Sequence, residues 1–173
     1  NTSSHYIKMR DGVKIAADVY LPKNLLTNER VPAVLIQTRY WRALRFQIPF
    51  KWLIKEPEDP KIVKILTSYG FAVVGIDVRG TGASHGTRSL PFTEDEVKDG
   101  ADIVDWIISQ PWSDGNVVTC GNSYKGTTSE LAVSLAHPAI KCALIKHNPW
   151  DLYLHAAFPG GVFNQQFIQL WSN

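Results

Sequence analysis

The chain predicts an α/β fold, a mostly parallel sheet with helices on both faces and a β-hairpin at the N-terminal end. Three features carry this expectation. Continuous β-branched runs such as "VPAVLIQT" and "FAVVGIDV" suit strands buried on both faces. Segments of helical period stand between them, the alternation that builds parallel sheets through crossover connections. The first segment, "HYIKMRDGVKIAADVYLP", instead alternates around Asp11-Gly12, a pair suited to a tight hairpin turn.

After the hairpin and the first buried strand, a basic and aromatic stretch leads to "PKIVKILTSYG". That segment opens on Pro60, a favourable first helical residue, and stops at Gly70, a favourable C-terminal cap. "FAVVGIDV" follows as the second buried strand. Beyond a Gly-rich loop, Thr93 with Glu96 three residues on forms a capping box. Val97, Ala101, Val104 and Ile108 then recur at helical spacing, which leaves Glu96, Lys98, Asp102 and Asp105 to face solvent. "PWSDGN" reads as a turn, "VVTCG" as a third strand, "SYKGTTSELAVSLA" as a second long helix and "IKCALIKHN" as a fourth strand. Cys120 and Cys142 lie within apolar runs and are expected to be buried free thiols rather than a disulfide.

Composition narrows the function classes. At 173 residues with 45% hydrophobic content, the chain can bury a core and suits one domain. A formal net charge of +2 gives no global attraction to a polyanion. No apolar run approaches the ~20 residues of a membrane-spanning helix, so a soluble protein is expected. No signal peptide is visible, and cytoplasmic and exported forms both stay open.

The chemistry concentrates in "VVTCGNSYKG", where a strand meets a helix through Ser123. In a nucleophile elbow, a serine at such a turn holds its hydroxyl above the sheet, and small neighbours make room for the sharp bend. Gly121 stands two residues before Ser123, but Lys125 stands two after, so the strict G-x-S-x-G pattern fails and the next glycine is Gly126. The helix N-terminus directs N–H groups at any oxyanion formed on Ser123, with the Tyr124 N–H as first donor. The alternative is a serine that only caps its helix.

Here the sequence resembles a known family. "GNSYKG", preceded by "DGADIVDWIISQPWSDGNVVTC", is similar to the G-x-S-Y-x-G segment of the cocaine-esterase and X-prolyl dipeptidyl-peptidase family of α/β-hydrolases. "DVRGTGASHG", "MRDGVKIAADVYLP" and "DLYLHAAFPGG" resemble its strand-end loop, opening hairpin and post-strand segment, and the matches run in order from Lys8 to Gly161. The resemblance implies a partial α/β-hydrolase fold in which Ser123 is the nucleophile and forms an acyl-enzyme. It also implies that the Tyr40 hydroxyl completes the oxyanion hole beside the Tyr124 N–H. Residues 1–160 would form the N-terminal part of the catalytic domain, and residues 161–173 the start of a helical cap.

Other readings are set aside. The glycines of "RGTGASHG" have the wrong spacing for a dinucleotide loop and do not open onto a helix. Asp77 and Arg79 are expected to fix that loop. The mixture of Arg39, Arg42, Arg45 and Lys51 with Trp41, Phe46 and Trp52 is too short to argue for nucleic acid. His5, His85, His137, His147 and His155 show no metal-ligand spacing, so neither metal nor other cofactor is expected.

In α/β-hydrolases the acid and histidine follow the nucleophile in chain order. Asp151 with His147 or His155 is a weak local substitute, because the family pattern makes that segment scaffold. The expectation is that both partners come from sequence absent here, on the remainder of the same hydrolase or another chain. Phe163, Phe167, Leu170 and Trp171 support it, falling on one face of a helix that nothing downstream covers. The expected activity is hydrolysis of a small ester, amide or X-Pro peptide, with little turnover by this chain alone. The alternative is an inactive hydrolase-fold scaffold or partner subunit. No nucleic-acid or membrane partner is expected, and homo-oligomer formation is left open.

Overall fold

The computed structural model describes residues 2–40, 42 and 59–172. Trp41, Arg45, Phe46, Lys51 and Trp52 of the basic and aromatic stretch lie outside the described residues. Strands β1 (Thr2–Lys8) and β2 (Lys14–Tyr20) form the hairpin, and β3 (Val31–Thr38) follows. Helix α1 (Asp59–Ser68), β4 (Ala72–Asp77), α2 (Glu94–Ile108), β5 (Ser113–Asn122), α3 (Tyr124–Ser134), β6 (Ile140–Lys146) and α4 (Gln165–Ser172) complete the order. The six strands lie in the order β1-β2-β4-β3-β5-β6. Strand β2 joins β1 and β4 antiparallel, while β4, β3, β5 and β6 run parallel.

Alternation along β3 shows how the strands are covered on both faces. Ala33 and Leu35 point into a cluster with Ile103, Val104 and Ile107 of α2. Val34 and Ile36 point the other way, onto Ile62, Val63 and Leu66 of α1. Truncating a central side chain such as Leu35 to alanine would cost about 2–5 kcal/mol, because the close-packed neighbours cannot collapse into the gap.

Four local expectations change. Glu96 is buried at 4% exposure, and the buried face of α2 runs through Asp99, Gly100, Ile103, Val104 and Ile107. The stripe is rotated because two acidic side chains on it have partners deeper in the fold. Strand β5 begins at Ser113, so the "PWSDGN" turn enters the strand as an irregularity opposite Val31 and Ala33. Its turn chemistry survives there: Ser113 Oγ accepts from Gly115 N and Asp114 Oδ1 from Asn116 N. Cys120 is buried, whereas Cys142, also a free thiol, is exposed because β6 is the last strand of the sheet. Helix α4 forms where expected, but its Trp171 folds back towards Phe92, leaving Phe167 and Leu170 exposed.

Candidate active site

The four parallel strands end along one edge of the sheet, the position at which open α/β sheets bind ligands. Register places Thr38 of β3 beside Asp77 of β4, and Asn122 of β5 beside Lys146 of β6. Tyr40, the loop after Asp77, and Ser123 are therefore brought to the same rim.

Ser123 lies between β5 and α3 with φ 58° and ψ −124°. A side chain in this region of backbone space costs about 1–3 kcal/mol and persists only where the surroundings over-determine it. The surroundings do so here. Ser123 N donates to Lys146 O at 2.9 Å, and Ser123 O accepts from Thr127 N at 3.0 Å. A Cβ on Gly121 would fall on the backbone carbonyl of Lys125, and one on Gly126 would come within 2.9 Å of Lys146 O. Both glycines are thus demanded by close approach, which accounts for a hexapeptide whose second glycine sits one place later than the strict pattern. Ser123 is exposed, and its side chain makes no hydrogen bond to the helix it precedes, so the capping alternative fails.

Tyr124 turns its ring inward and is 3% exposed. Its hydroxyl donates to Glu96 Oε1 and accepts from Arg88 Nη1 at 3.0 Å. Glu96 Oε2 accepts from Phe92 N at 3.1 Å, while Thr93 Oγ1 accepts from Glu96 N at 3.4 Å. Half of the capping box therefore forms: Thr93 caps Glu96 N, while the Glu96 carboxylate bonds Phe92 N rather than Thr93 N and is shared with the residue that follows Ser123. Burial raises the Glu96 pKa, opposed by the hydrogen bonds from Tyr124 and Phe92. Burial, and then the neighbouring Glu96, also push the Tyr124 phenol well above the usual range. The phenol stays protonated, and the ring anchors the first turn of α3. Neither Glu96 nor Arg88 was visible as a site residue in sequence; the capping-box spacing was the only signal.

Tyr40 lies just past β3, half exposed, with its ring edge-on to Tyr124 at 5.8 Å between centroids. Its hydroxyl accepts from Trp171 Nε1 at 3.4 Å. An indole can only donate, so this contact leaves the phenol proton available to another acceptor. The Arg39 guanidinium lies 5.4–5.9 Å from the ring centroids of Tyr40, Tyr124 and Trp171. Sequence reasoning missed Trp171 as a site neighbour, because a separation of 131 positions from Tyr40 leaves no local pattern.

The histidines do not build a triad. Asp151 accepts from Leu154 N through its carboxylate, and its own N–H donates to His155 Nδ1. No hydrogen bond joins the Asp151 carboxylate to His147 or His155 among the described residues. His137 bridges Asp105 and the Ala139 N–H beyond the C-terminal end of α3. No group of three or more histidines, cysteines or acids among the described residues is placed to hold a metal ion. No helix among them is long and apolar enough to cross a membrane.

Asp77 and Arg79 do fix the strand-end loop, though not by pairing with each other. Arg79 makes a two-pronged bond to Asp99, at 2.8 and 2.7 Å, and reaches Asp11 at 2.7 Å. Asp77 accepts from Ala83 N at 3.0 Å, and its carbonyl accepts from Ser84 Oγ at 2.6 Å.

An exposed strand-turn-helix serine held at positive φ invites comparison with known hydrolases. The sequence profile of the X-Pro dipeptidyl-peptidase (S15) family matches residues 11–173. The chain belongs to this family. A Mycobacterium bovis protein named as a serine esterase is 43% identical over 98% of the chain, and the cocaine esterase of a Rhodococcus species is 33% identical over 98%. The chain spans 28% of the length of each of these relatives. Among solved structures, a CocE/NonD family hydrolase from Staphylococcus aureus superposes with a TM-score of 0.82 at 25% identity, covering 99% of this chain and 32% of its own. An α-amino acid ester hydrolase gives 0.71 at 29% identity, covering 91% and 27%. The mixed six-stranded sheet is thus a partial fold of this hydrolase family.

Proposed function

We propose that the chain carries the nucleophile and oxyanion-binding half of a serine hydrolase acting on small esters or amides. The observation that carries the reading is the backbone of Ser123, held at positive φ by two close-packed glycines while its hydroxyl makes no hydrogen bond to the helix it precedes. A serine that served only the helix would relax to ordinary capping geometry. The family profile and the esterase names of the relatives favour the same chemistry, with ester substrates ahead of X-Pro peptides.

In this reading Ser123 Oγ attacks the carbonyl carbon of the substrate, and the hydroxyl proton passes to a histidine base. The carbonyl oxygen gains charge as the tetrahedral intermediate forms. The Tyr124 N–H and the Tyr40 hydroxyl donate to it, and collapse expels the alcohol or amine, leaving an acyl-serine that water then hydrolyses. The base and its acid partner belong to sequence outside these 173 residues, with the helical segment from residue 161 opening a cap over the site. Without that base the serine is a weak nucleophile, and the segment alone has little turnover.

A fluorophosphonate probe tests this in the intact protein. Labelling should occur at Ser123 and vanish in Ser123→Ala. Tyr40→Phe should lower kcat by about 10²–10³, the usual effect of losing one oxyanion donor. An intact protein whose Ser123 stays unlabelled would instead be a scaffold.

A further inference from the structure

We infer that Asp77 and Arg42 are positioning residues that aim the Tyr40 hydroxyl at the oxyanion. This rests on the oxyanion role proposed above for Tyr40.

Tyr40 is exposed and belongs to no strand or helix, so something must restrict it if it is to act as an oriented donor. Both of its flanks are tied. On one side its own N–H donates to Thr38 Oγ1 at 3.0 Å, and the Thr38 carbonyl accepts from Val78 N at 2.9 Å. On the other side, two residues on, Arg42 is held by Asp77 at two points. Arg42 N donates to Asp77 Oδ1 and Arg42 Nη1 to Asp77 Oδ2, each at 2.6 Å. The Arg42 Nε also lies 3.2 Å from Asp18 Oδ2, and Asp18 Oδ1 accepts from Ser4 Oγ at 2.6 Å.

Asp77 itself cannot drift. It is 1% exposed at the end of β4, directly beside Thr38 in the parallel register. Its Oδ2 takes a further bond from Ala83 N. One buried carboxylate therefore fastens the backbone beyond Tyr40 to the strand next to the one it leaves. Charge-assisted bonds of this kind are shorter and stronger than neutral ones, and a two-point grip fixes direction as well as distance. An oxyanion donor is effective only when its direction is set before the charge develops.

The test is a double-mutant cycle in the intact protein with a p-nitrophenyl ester. Arg42→Gln should lower kcat about 10-fold to 100-fold, the scale of an ångström-sized misplacement, with KM changed less than about 2-fold. Arg42→Lys, which keeps a cation but not the fork, should fall between. In a Tyr40→Phe background the same Arg42→Gln change should alter kcat by less than about 2-fold, because the group being aimed is gone. Asp77→Asn should repeat the pattern, with circular dichroism and thermal unfolding confirming a folded variant. Equal losses in both backgrounds overturn the inference, since Arg42 would then act on the fold alone. Undiminished kcat in Arg42→Gln beside an impaired Tyr40→Phe also overturns it and leaves the proposed function standing. Undiminished kcat in Tyr40→Phe overturns the oxyanion reading itself.

Discussion

Replacing Ser123 by glycine should make the folded protein more stable than replacing it by alanine, although glycine is ordinarily the weaker choice. Both substitutions remove the hydroxyl, so their difference isolates the backbone. A residue with a Cβ at φ 58°, ψ −124° carries strain of about 1–3 kcal/mol, which glycine does not feel. Against this, glycine gives the unfolded chain more freedom, worth about 0.5–1 kcal/mol. The balance is about 1 kcal/mol in favour of Ser123→Gly over Ser123→Ala. Urea unfolding of the two variants side by side, with equal m-values, measures it as a shift in midpoint. A Ser123→Gly protein that unfolds at lower urea than Ser123→Ala would refute the claim that the fold imposes strain at this residue.

Three further outcomes follow from the same network. Tyr124→Phe should cost about 1–3 kcal/mol by stranding Glu96 and Arg88, yet leave probe labelling of Ser123 intact because the backbone N–H is untouched. Arg79→Ala should cost about 1–3 kcal/mol in urea unfolding, since the buried Asp99 carboxylate loses its two-pronged partner and keeps a single contact from Arg10. Glu96 gives a pH signature: burial raises its folded pKa above the unfolded value, so the stability it contributes is fully present below the ordinary carboxyl range. That contribution is lost as pH rises through the folded pKa. The stability of the parent protein relative to Glu96→Gln should therefore decline from pH 4 towards neutrality, and unfolding midpoints measured across that range that stay parallel would contradict the assignment.

The bounds of β3 were legible because a strand buried on both faces writes a continuous apolar run, "VPAVLIQT", whereas β5 starts four residues before its apolar run, inside a turn sequence. The sharp turn at Ser123 was legible in part: Gly121 answers a steric demand made by Lys125 four residues on, whereas the demand on Gly126 comes from Lys146 O, twenty residues away. The face of α2 was not, since Glu96 and Asp99 look like solvent residues until Tyr124 and Arg79 arrive from 28 and 20 residues away. An acidic residue reports its own polarity, not the partner that makes burial tolerable. The Trp171–Tyr40 contact was hidden for a related reason: a helical apolar stripe says that one face wants cover, not which loop supplies it.

One carbonyl oxygen also sets a schedule. Lys146 O, at the end of β6, receives the Ser123 N–H and lies against the only space in which a side chain at position 126 could stand. Strand β5 and helix α3 are neighbours in sequence and can associate early, but the acceptor that holds their junction in its costly shape is made more than twenty residues later. During synthesis the turn would pass through a relaxed form and be drawn into its final geometry only when β6 docks. The final backbone geometry of Ser123 would then be a late event in folding, and the docking of Lys146 would mark its completion.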